Sequence, residues 1–525
     1  MATIHFQTRD IPDGGMRGYA ADDQKILILR DGERIRAFQG TCPHAGADLS
    51  EGVRCAGRVV CPWHHAAFDT TDGGLREPPA TEHLTRFVVE RDGDGWCVDT
   101  SRTAPTSAPI PQLANDHVVI VGAGASAFMT AQTLRLRGYA GHITMLAPEG
   151  VAPYDRTMLS KAFLAGEMDA DDLPLGGQDW ADRQRITLVK TPVSALDMAH
   201  KHVTLAGGER LRYDHLVVAT GASPESADLP GADLSGVHML RSLDDAKSLR
   251  EGAQGQDIVI VGTGFIGLEA AASLVGDGGA KSVTVIGPDD QILRGLLGPE
   301  PARAIQDLHA HNGVRFRLGQ RVEALHGDGQ VDAVILEDGT RVKCGLALLG
   351  LGVTPDAGLL GEFVDEDGAV KVDAGMRVAP SVYAVGDIAA APTACGRLRV
   401  EHWRVAMQEG MAAAEAILAR QQGAMDGRVP FFWTMQYGKS LRYVGHARPG
   451  AERHLWGDPG SLDFIEFSLE GGYAVAAAGV GQGKALAAFE ELLRGGRSPS
   501  ADEIKAGPFD LVQALQESDG QRRAA

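Results

Sequence analysis

His117-Val-Val-Ile-Val-Gly-Ala-Gly-Ala-Ser-Ala127 sets an uninterrupted apolar run directly before a glycine turn and a helix-forming stretch, Phe128 to Arg137. Such a run suits a parallel strand buried on both faces. Gly122 and Gly124 permit a tight turn and close backbone approach to a pyrophosphate seated on the helix N-terminus, and Ala127 takes the third small position where helix meets strand. A second apolar run, His142 to Leu146, completes the βαβ pattern. Glu149 beyond it falls near the place of a ribose-binding carboxylate, although a plain loop acid fits as well.

The pattern returns at Asp257-Ile-Val-Ile-Val261 and Gly262-Thr-Gly264-Phe-Ile-Gly267, followed by a helical stretch Leu268 to Leu274 and a strand Ser282 to Ile286. Two such units predict two dinucleotides. In Ile286-Gly-Pro-Asp-Asp290, Gly287 stands where an acid for the ribose hydroxyls is expected. Asp289 and Asp290 would repel a 2'-phosphate, whereas Arg294 would attract one; the two carboxylates lean the reading towards NADH.

Upstream, Cys42-Pro-His44 and Cys61-Pro-Trp-His64 lie sixteen residues apart, and each offers one thiol and one imidazole from a short loop. Two thiolates on one iron and two neutral imidazoles on the other is the ligand set of a 2Fe-2S centre of Rieske type. Zinc sites also use Cys and His at short spacings. The doubled pattern, with proline after each first cysteine and strand-like runs at Lys25 to Leu29, Arg58 to Val60 and Phe87 to Glu90, favours the cluster. The first hundred residues resemble the Rieske ferredoxin family. High-potential members add a cysteine to each half-motif and a serine hydroxyl; here those positions read Ala47, Trp63 and Ala66. The resemblance therefore implies the low end of the Rieske range, on the order of −150 mV. His65 is expected to be a solvated or supporting residue rather than a ligand. From Thr100 to Asp116 the chain turns rich in Pro, Ser and Thr, a linker composition that predicts a separate head tethered to the rest.

Downstream stand Pro153-Tyr-Asp-Arg156 with Leu159-Ser-Lys161, Ala219-Thr-Gly221, Glu269, Val385-Gly-Asp387, Glu401-His-Trp403 and Phe432-Trp433. Around these segments, residues 117 to 480 resemble the FAD-dependent pyridine nucleotide-disulfide oxidoreductase superfamily, and more closely its ferredoxin-reductase and apoptosis-inducing-factor branch. The resemblance implies that Gly122, Gly124 and Ala127 hold FAD and that Gly262, Gly264 and Gly267 hold NAD(P)H. It places Arg156 at FAD phosphate or adenosine, and Ala219, Thr220 and Gly221 along the FAD. It gives Gly386 and Asp387 to the ribityl chain, and Glu401, His402, Trp403 and Trp433 to the flavin ring. Lys161, paired with Glu269, is implied as the catalytic pair; a cation there stabilises an anionic reduced flavin. Neither place where disulfide reductases carry a cysteine pair has one here, so electrons are expected to leave the flavin for the head.

The expected fold is multidomain. It has an N-terminal all-β Rieske domain (1–100), a linker (101–116), two α/β Rossmann-like domains, a small α+β C-terminal reductase domain (422–517) and a disordered tail (518–525). The FAD domain is expected to be split as 117–241 and 367–421 around an NAD(P) domain at 242–366. A chain of 525 residues accommodates three to four domains. Its net charge of −19 argues against nucleic acid as a partner. No apolar run suits a membrane span, the start lacks a signal-like core, and cytoplasmic residence is expected. Cys55, Cys97, Cys344 and Cys395 read as buried or free thiols. A monomer and a homodimer fit the sequence equally.

Together these readings predict an NAD(P)H-dependent flavoprotein reductase that passes electrons through FAD to its own Rieske cluster and on to an external acceptor: an oxygenase, ferredoxin, cytochrome or quinone. The alternative is a redox sensor of the apoptosis-inducing-factor type, in which nicotinamide binding switches conformation and turnover is slow. A third reading makes the head an inert structural clip.

Overall fold

The computed structural model describes residues 3–106, 115–225, 229–276, 278–419 and 425–524. Half of the expected linker, 107–114, lies outside the described residues.

Six antiparallel strands open the chain, in the sheet order Thr3–Phe6, Gly95–Ala104, Arg86–Asp92, Arg34–Gln39, Gln24–Asp31, Met16–Ala21. Side-chain alternation divides the core. Ile26 and Ile28 face Phe6, Phe87 and Val98, while Leu27 and Leu29 face Phe38, Cys42 and Cys61. A four-stranded sheet (Val53–Cys55, Arg58–Val60, Ala67–Asp69, Leu75–Glu77) carries the second Cys-His loop. Strand Gly95–Ala104 runs into the stretch read as linker, because pairing with Arg86–Asp92 resumes at Thr103 and Ala104 after a break past Asp99.

Val118, Val119 and Ile120 are fully buried, as their continuous apolar run requires. Their strand His117–Val121 pairs in parallel with His142–Leu146 and His215–Val218. Val382–Ala384 and Arg377–Ala379 return later in the chain to extend this sheet. Between these visits a second parallel sheet forms from Val237–His238, Leu346–Leu349, Asp257–Val261, Ser282–Gly287 and Val314–Leu318. Val237–His238, assigned from sequence to the first unit, thus belongs to the second; a two-residue strand has no apolar run to announce it.

A five-stranded antiparallel sheet (Phe431–Gln436, Lys439–Gly445, Tyr473–Val480, Asp463–Glu470, Glu452–Asp458) with helix Gly483–Arg494 closes the fold. Leu486, Phe489 and Leu492 of the helix bury against Phe431, Val444 and Phe467. The tail read as disordered is instead helix Leu511–Ala524. Asp510 Oδ1 accepts from the amides of Val512 and Gln513, Leu511 and Leu515 enter the same core, and Asp519 Oδ2 accepts from Ala56 N at 2.9 Å.

The amino-terminal unit is not a loose head. Its Leu27, Phe38, Cys42 and Phe68 share one buried cluster with Ala125, Met129, Met407 and Met411 of helices Ala125–Leu136 and Trp403–Ile417. Arg137 donates to Leu75 O and Gln132 to Thr81 O, at 2.9 and 2.8 Å. Among the described residues no helix is long and apolar enough to cross a membrane.

Candidate redox site

A cleft of about 700 Å³ runs along the ends of the first parallel sheet. Gly122 forms its floor at φ +117°, and a Cβ there would meet Ala219 O at 2.2 Å, so only glycine fits. Gly262 repeats the arrangement at φ +125° against Gly350 O, also at 2.2 Å. Nothing lies within 4 Å of a Cβ built on Gly124 or Gly264. Each loop therefore presents open backbone at the start of a helix, Ala125–Leu136 and Phe265–Val275, which is the cradle a dinucleotide pyrophosphate needs. Ala127 and Gly267 are buried where helix meets strand, and a Cβ on Gly267 would meet Gly262 O at 2.5 Å.

Among the residues expected at the flavin, Glu149, Arg156, Ala219, Thr220, Gly221, Gly386, Asp387, Glu401, His402 and Trp403 line this cleft. Glu149 binds Arg156 through one oxygen and accepts from Tyr154 OH at 2.7 Å through the other. Asp387 accepts from Arg241 Nη2 at 2.8 Å, Thr220 Oγ1 donates to Asp356 O, and Glu401 pairs with Arg399. His402 stacks at 4.1 Å on Phe432, and burial pulls its pKa down to about 4. Lys161 Nζ donates to Glu269 Oε2 at 2.7 Å; the same oxygen accepts from Ser160, and Glu269 Oε1 accepts from Thr434 Oγ1 at 2.6 Å.

His44 Nδ1 and His64 Nδ1 converge to 3.0 Å, their rings edge to face. Burial keeps both imidazoles neutral, lowering His64 to about 2 with the help of His44 and Arg442. The Asp155 charge opposes the effect at His44. Cys42 and Cys61 hydrogen-bond one another, which favours thiolate at Cys61. Backbone amides of Trp63 and His64 add to that, and those of His44 and Ala45 serve Cys42. Among the described residues no three His, Cys, Asp or Glu side chains group around one metal position. The donors fall instead into a thiol pair and a neutral imidazole pair, the division that a binuclear Rieske cluster uses.

Trp433 was expected at the flavin. Its ring lies 4.3 Å from that of His64 and 5.9 Å from that of His44, and it is not among the residues lining the cleft. The strand sends Trp433 to the imidazole side and Thr434, one residue on, to Glu269. His65 is not solvated. It is completely buried, stacked at 4.0 Å on Phe431, with Nδ1 2.6 Å from Glu490 Oε2.

Sequence reasoning missed the ion network around it. Glu490 also takes Arg404 and Arg494 at 3.0 and 3.1 Å, while Glu77 takes Gln408, Arg494 and Arg428 at 2.9, 3.2 and 3.5 Å. Arg404 reaches Pro78 O and His65 O, so helix Trp403–Ile417 grips the cluster-loop unit directly. The sequence signal was the set of polar residues Arg404, Gln408, Glu409 and Glu415 in an otherwise apolar helix.

Residues 116–410 match the pyridine nucleotide-disulphide oxidoreductase family, residues 2–88 the Rieske [2Fe-2S] domain and residues 431–515 the reductase C-terminal domain. Apoptosis-inducing factor 3 of Homo sapiens is 30% identical over 518 residues, 95% of this chain and 84% of that protein. The probable ferredoxin reductase CtmF of Castellaniella defragrans is 35% identical over 388 residues, 72% of this chain and 94% of its own. The crystal structure of the covalent putidaredoxin reductase-putidaredoxin complex is similar with a TM-score of 0.72 at 28% identity, covering 78% of this chain and 100% of that one. With FAD and Rieske cluster both implied by matching domains and both fitted by the residues present, the chain belongs to the pyridine nucleotide-disulphide oxidoreductase family as a ferredoxin-reductase-type NAD(P)H oxidoreductase with a Rieske [2Fe-2S] domain.

Proposed function

We propose that the protein carries electrons from NADH through FAD to its own Rieske cluster and from there to an external one-electron acceptor. When bound, FAD accepts a hydride and releases electrons singly to a cluster that takes one at a time. One observation carries this reading: the imidazole pair packs half-buried against Trp433, whose chain neighbour Thr434 holds the Lys161–Glu269 pair.

In this reading Cys42, Cys61, His44 and His64 hold the cluster. Residues 117–241, apart from strand Val237–His238, and residues 367–421 carry FAD; that strand and residues 242–366 form the unit that carries the nicotinamide coenzyme on Gly262, Gly264 and Gly267. Lys161 sets a positive charge where negative charge develops on the flavin, and Glu269 and Thr434 fix its position. Trp403, in the cleft, excludes water from the ring. Arg294 lies 3.4 and 3.1 Å from Asp289 and Asp290, so its charge is offset before a 2'-phosphate could use it, which supports NADH. A cytoplasmic setting agrees with Cys55, Cys97, Cys344 and Cys395 standing outside any disulfide.

The test is an anaerobic titration of the cluster-loaded protein with NADH, and separately NADPH, following flavin absorbance together with the cluster EPR signal. Flavin bleaching followed by the reduced-cluster signal, lost in Cys42→Ser, is expected. Flavin bleaching beside a permanently oxidised cluster overturns the relay and favours the sensor reading.

A further inference from the structure

His44 and His64 are half-buried against Trp433, whose ring covers part of that side of the cluster loops. Trp63 stands between Pro62 and His64. Its side chain is 42% exposed, its ring lies 6.4 Å from that of His64, and its carbonyl accepts from Arg442 Nε at 2.7 Å, which pins the loop to strand Lys439–Gly445. In the sheet register Trp433 stands opposite Arg442 and Met435 opposite Ser440, so all four side chains share one face. The cluster loop covers the Trp433 and Arg442 end. The other end emerges from beneath it, where Met435 is 53% exposed.

Beside this apolar ground lies a cleft of about 500 Å³ lined by Trp63, Lys439, Ser440, Arg442 and Lys484, with Glu51 as its carboxylate. Lys439 and Lys484 are exposed and form no ion pair among the described residues. A chain of net charge −19 thus sets the exposed Lys439 and Lys484 at the cleft that holds the exposed Trp63. An apolar centre with a charged rim is the anatomy of a docking surface, and the sign of the rim selects the partner.

We propose that Trp63, Met435, Lys439 and Lys484 form the exit face, where an electron-accepting metalloprotein with an acidic docking surface binds. This rests on the reading that electrons reach the head. NADH becomes NAD⁺ and a proton with release of two electrons, and two partner molecules in turn each accept one electron at an oxidised metal centre.

The probes are an acidic plastocyanin and a basic cytochrome c, both oxidised, with the Lys439→Glu/Lys484→Glu variant; both sites are exposed, so the fold is preserved. Calorimetry at low salt without nucleotide is expected to show plastocyanin binding weakened at least about tenfold, with cytochrome c binding unchanged or tightened. Plastocyanin reduction falls in parallel, Met435→Asp lowers it too, and the EPR titration with NADH stays that of the parent. Plastocyanin binding and reduction within about twofold of the parent would overturn the exit face. So would loss of benzoquinone reduction with plastocyanin unaffected, which would mark a small-molecule site. A parent cluster that NADH does not reduce counts against the relay alone, since the binding measurement stands apart from turnover.

Discussion

The ring of Trp433 lies 4.3 Å from that of His64, tilted by 33°. The following residue, Thr434, turns the other way to hold Glu269. One strand therefore touches His64 and the Lys161–Glu269 ion pair within two residues.

Trp433→Ala removes that ring while leaving Thr434 and Glu269 in place. Stopped-flow mixing with NADH is expected to show flavin bleaching at the parent rate and cluster reduction slowed about tenfold or more, a barrier increase of about 1.4 kcal/mol. Equal slowing of both phases would mean that the ring acts on the whole site and not between its halves.

Glu269 is 4% exposed, and its two oxygens receive Lys161, Ser160 and Thr434. Glu269→Ala leaves the Lys161 ammonium without its carboxylate in a largely dry site, a loss of about 3–5 kcal/mol for a buried pair. Glu269→Gln keeps the shape and a hydrogen bond to Thr434. Urea unfolding is expected to separate the two variants in stability, whereas both slow the hydride step by about a hundredfold through a displaced Lys161. A parent-like hydride step in Glu269→Gln would show that Lys161 holds its place without the ion pair.

Acid is expected to loosen the grip on the cluster domain. Burial opposes ionisation of Glu77, but Arg428 and Arg494 outweigh it and bring the carboxyl down to about 2. Burial is likewise outweighed at Glu490, where Arg404 and His65 hold the carboxyl well below the usual range. Folded-state values below the unfolded value of about 4.3 mean that this stabilisation is present above pH ~4.3 and is lost as the pH falls towards ~2. Limited proteolysis across that window should release the amino-terminal domain first, and Arg404→Met should move the release to higher pH. Simultaneous cleavage of all domains would locate the acid sensitivity elsewhere.

What could be read from the chain, and what could not, divides by distance along it. The glycine loops were legible because their demand is local: backbone must bend at Gly122 and Gly262, and a Cβ would strike the neighbouring strand. The Rieske domain was legible because each Cys-His half-motif is contiguous. His65 was not, because its carboxylate partner lies 425 positions away and its stacking partner is on the last sheet. The tail looked disordered because its helix is held by a distant amide at Ala56 and by a core built from other segments. The place of Trp433 depends on strand parity and on where the amino-terminal domain docks, neither of which is written in its neighbours.

Glu409 offers a stability test of the opposite sign. Its carboxyl is buried in helix Trp403–Ile417, 2.6 Å from the amide of Gly386. Burial pushes its pKa well above the usual range; the Gly386 N–H opposes the shift and the nearby Asp387 charge adds to it. A carboxyl that keeps its proton in the folded state and loses it in the unfolded one makes folding progressively less favourable as the pH rises above about 4.3. The loss continues until the folded-state value is reached. Glu409→Gln keeps an oxygen for Gly386 N–H and removes the titration. Thermal melts of parent and variant should therefore coincide near pH 4 and separate as the pH rises, with the variant melting higher at pH 8. Parallel melting curves from pH 4 to pH 8 would show that Glu409 is ionised in the folded protein and balanced by Arg428, which already lies among the charges acting on it.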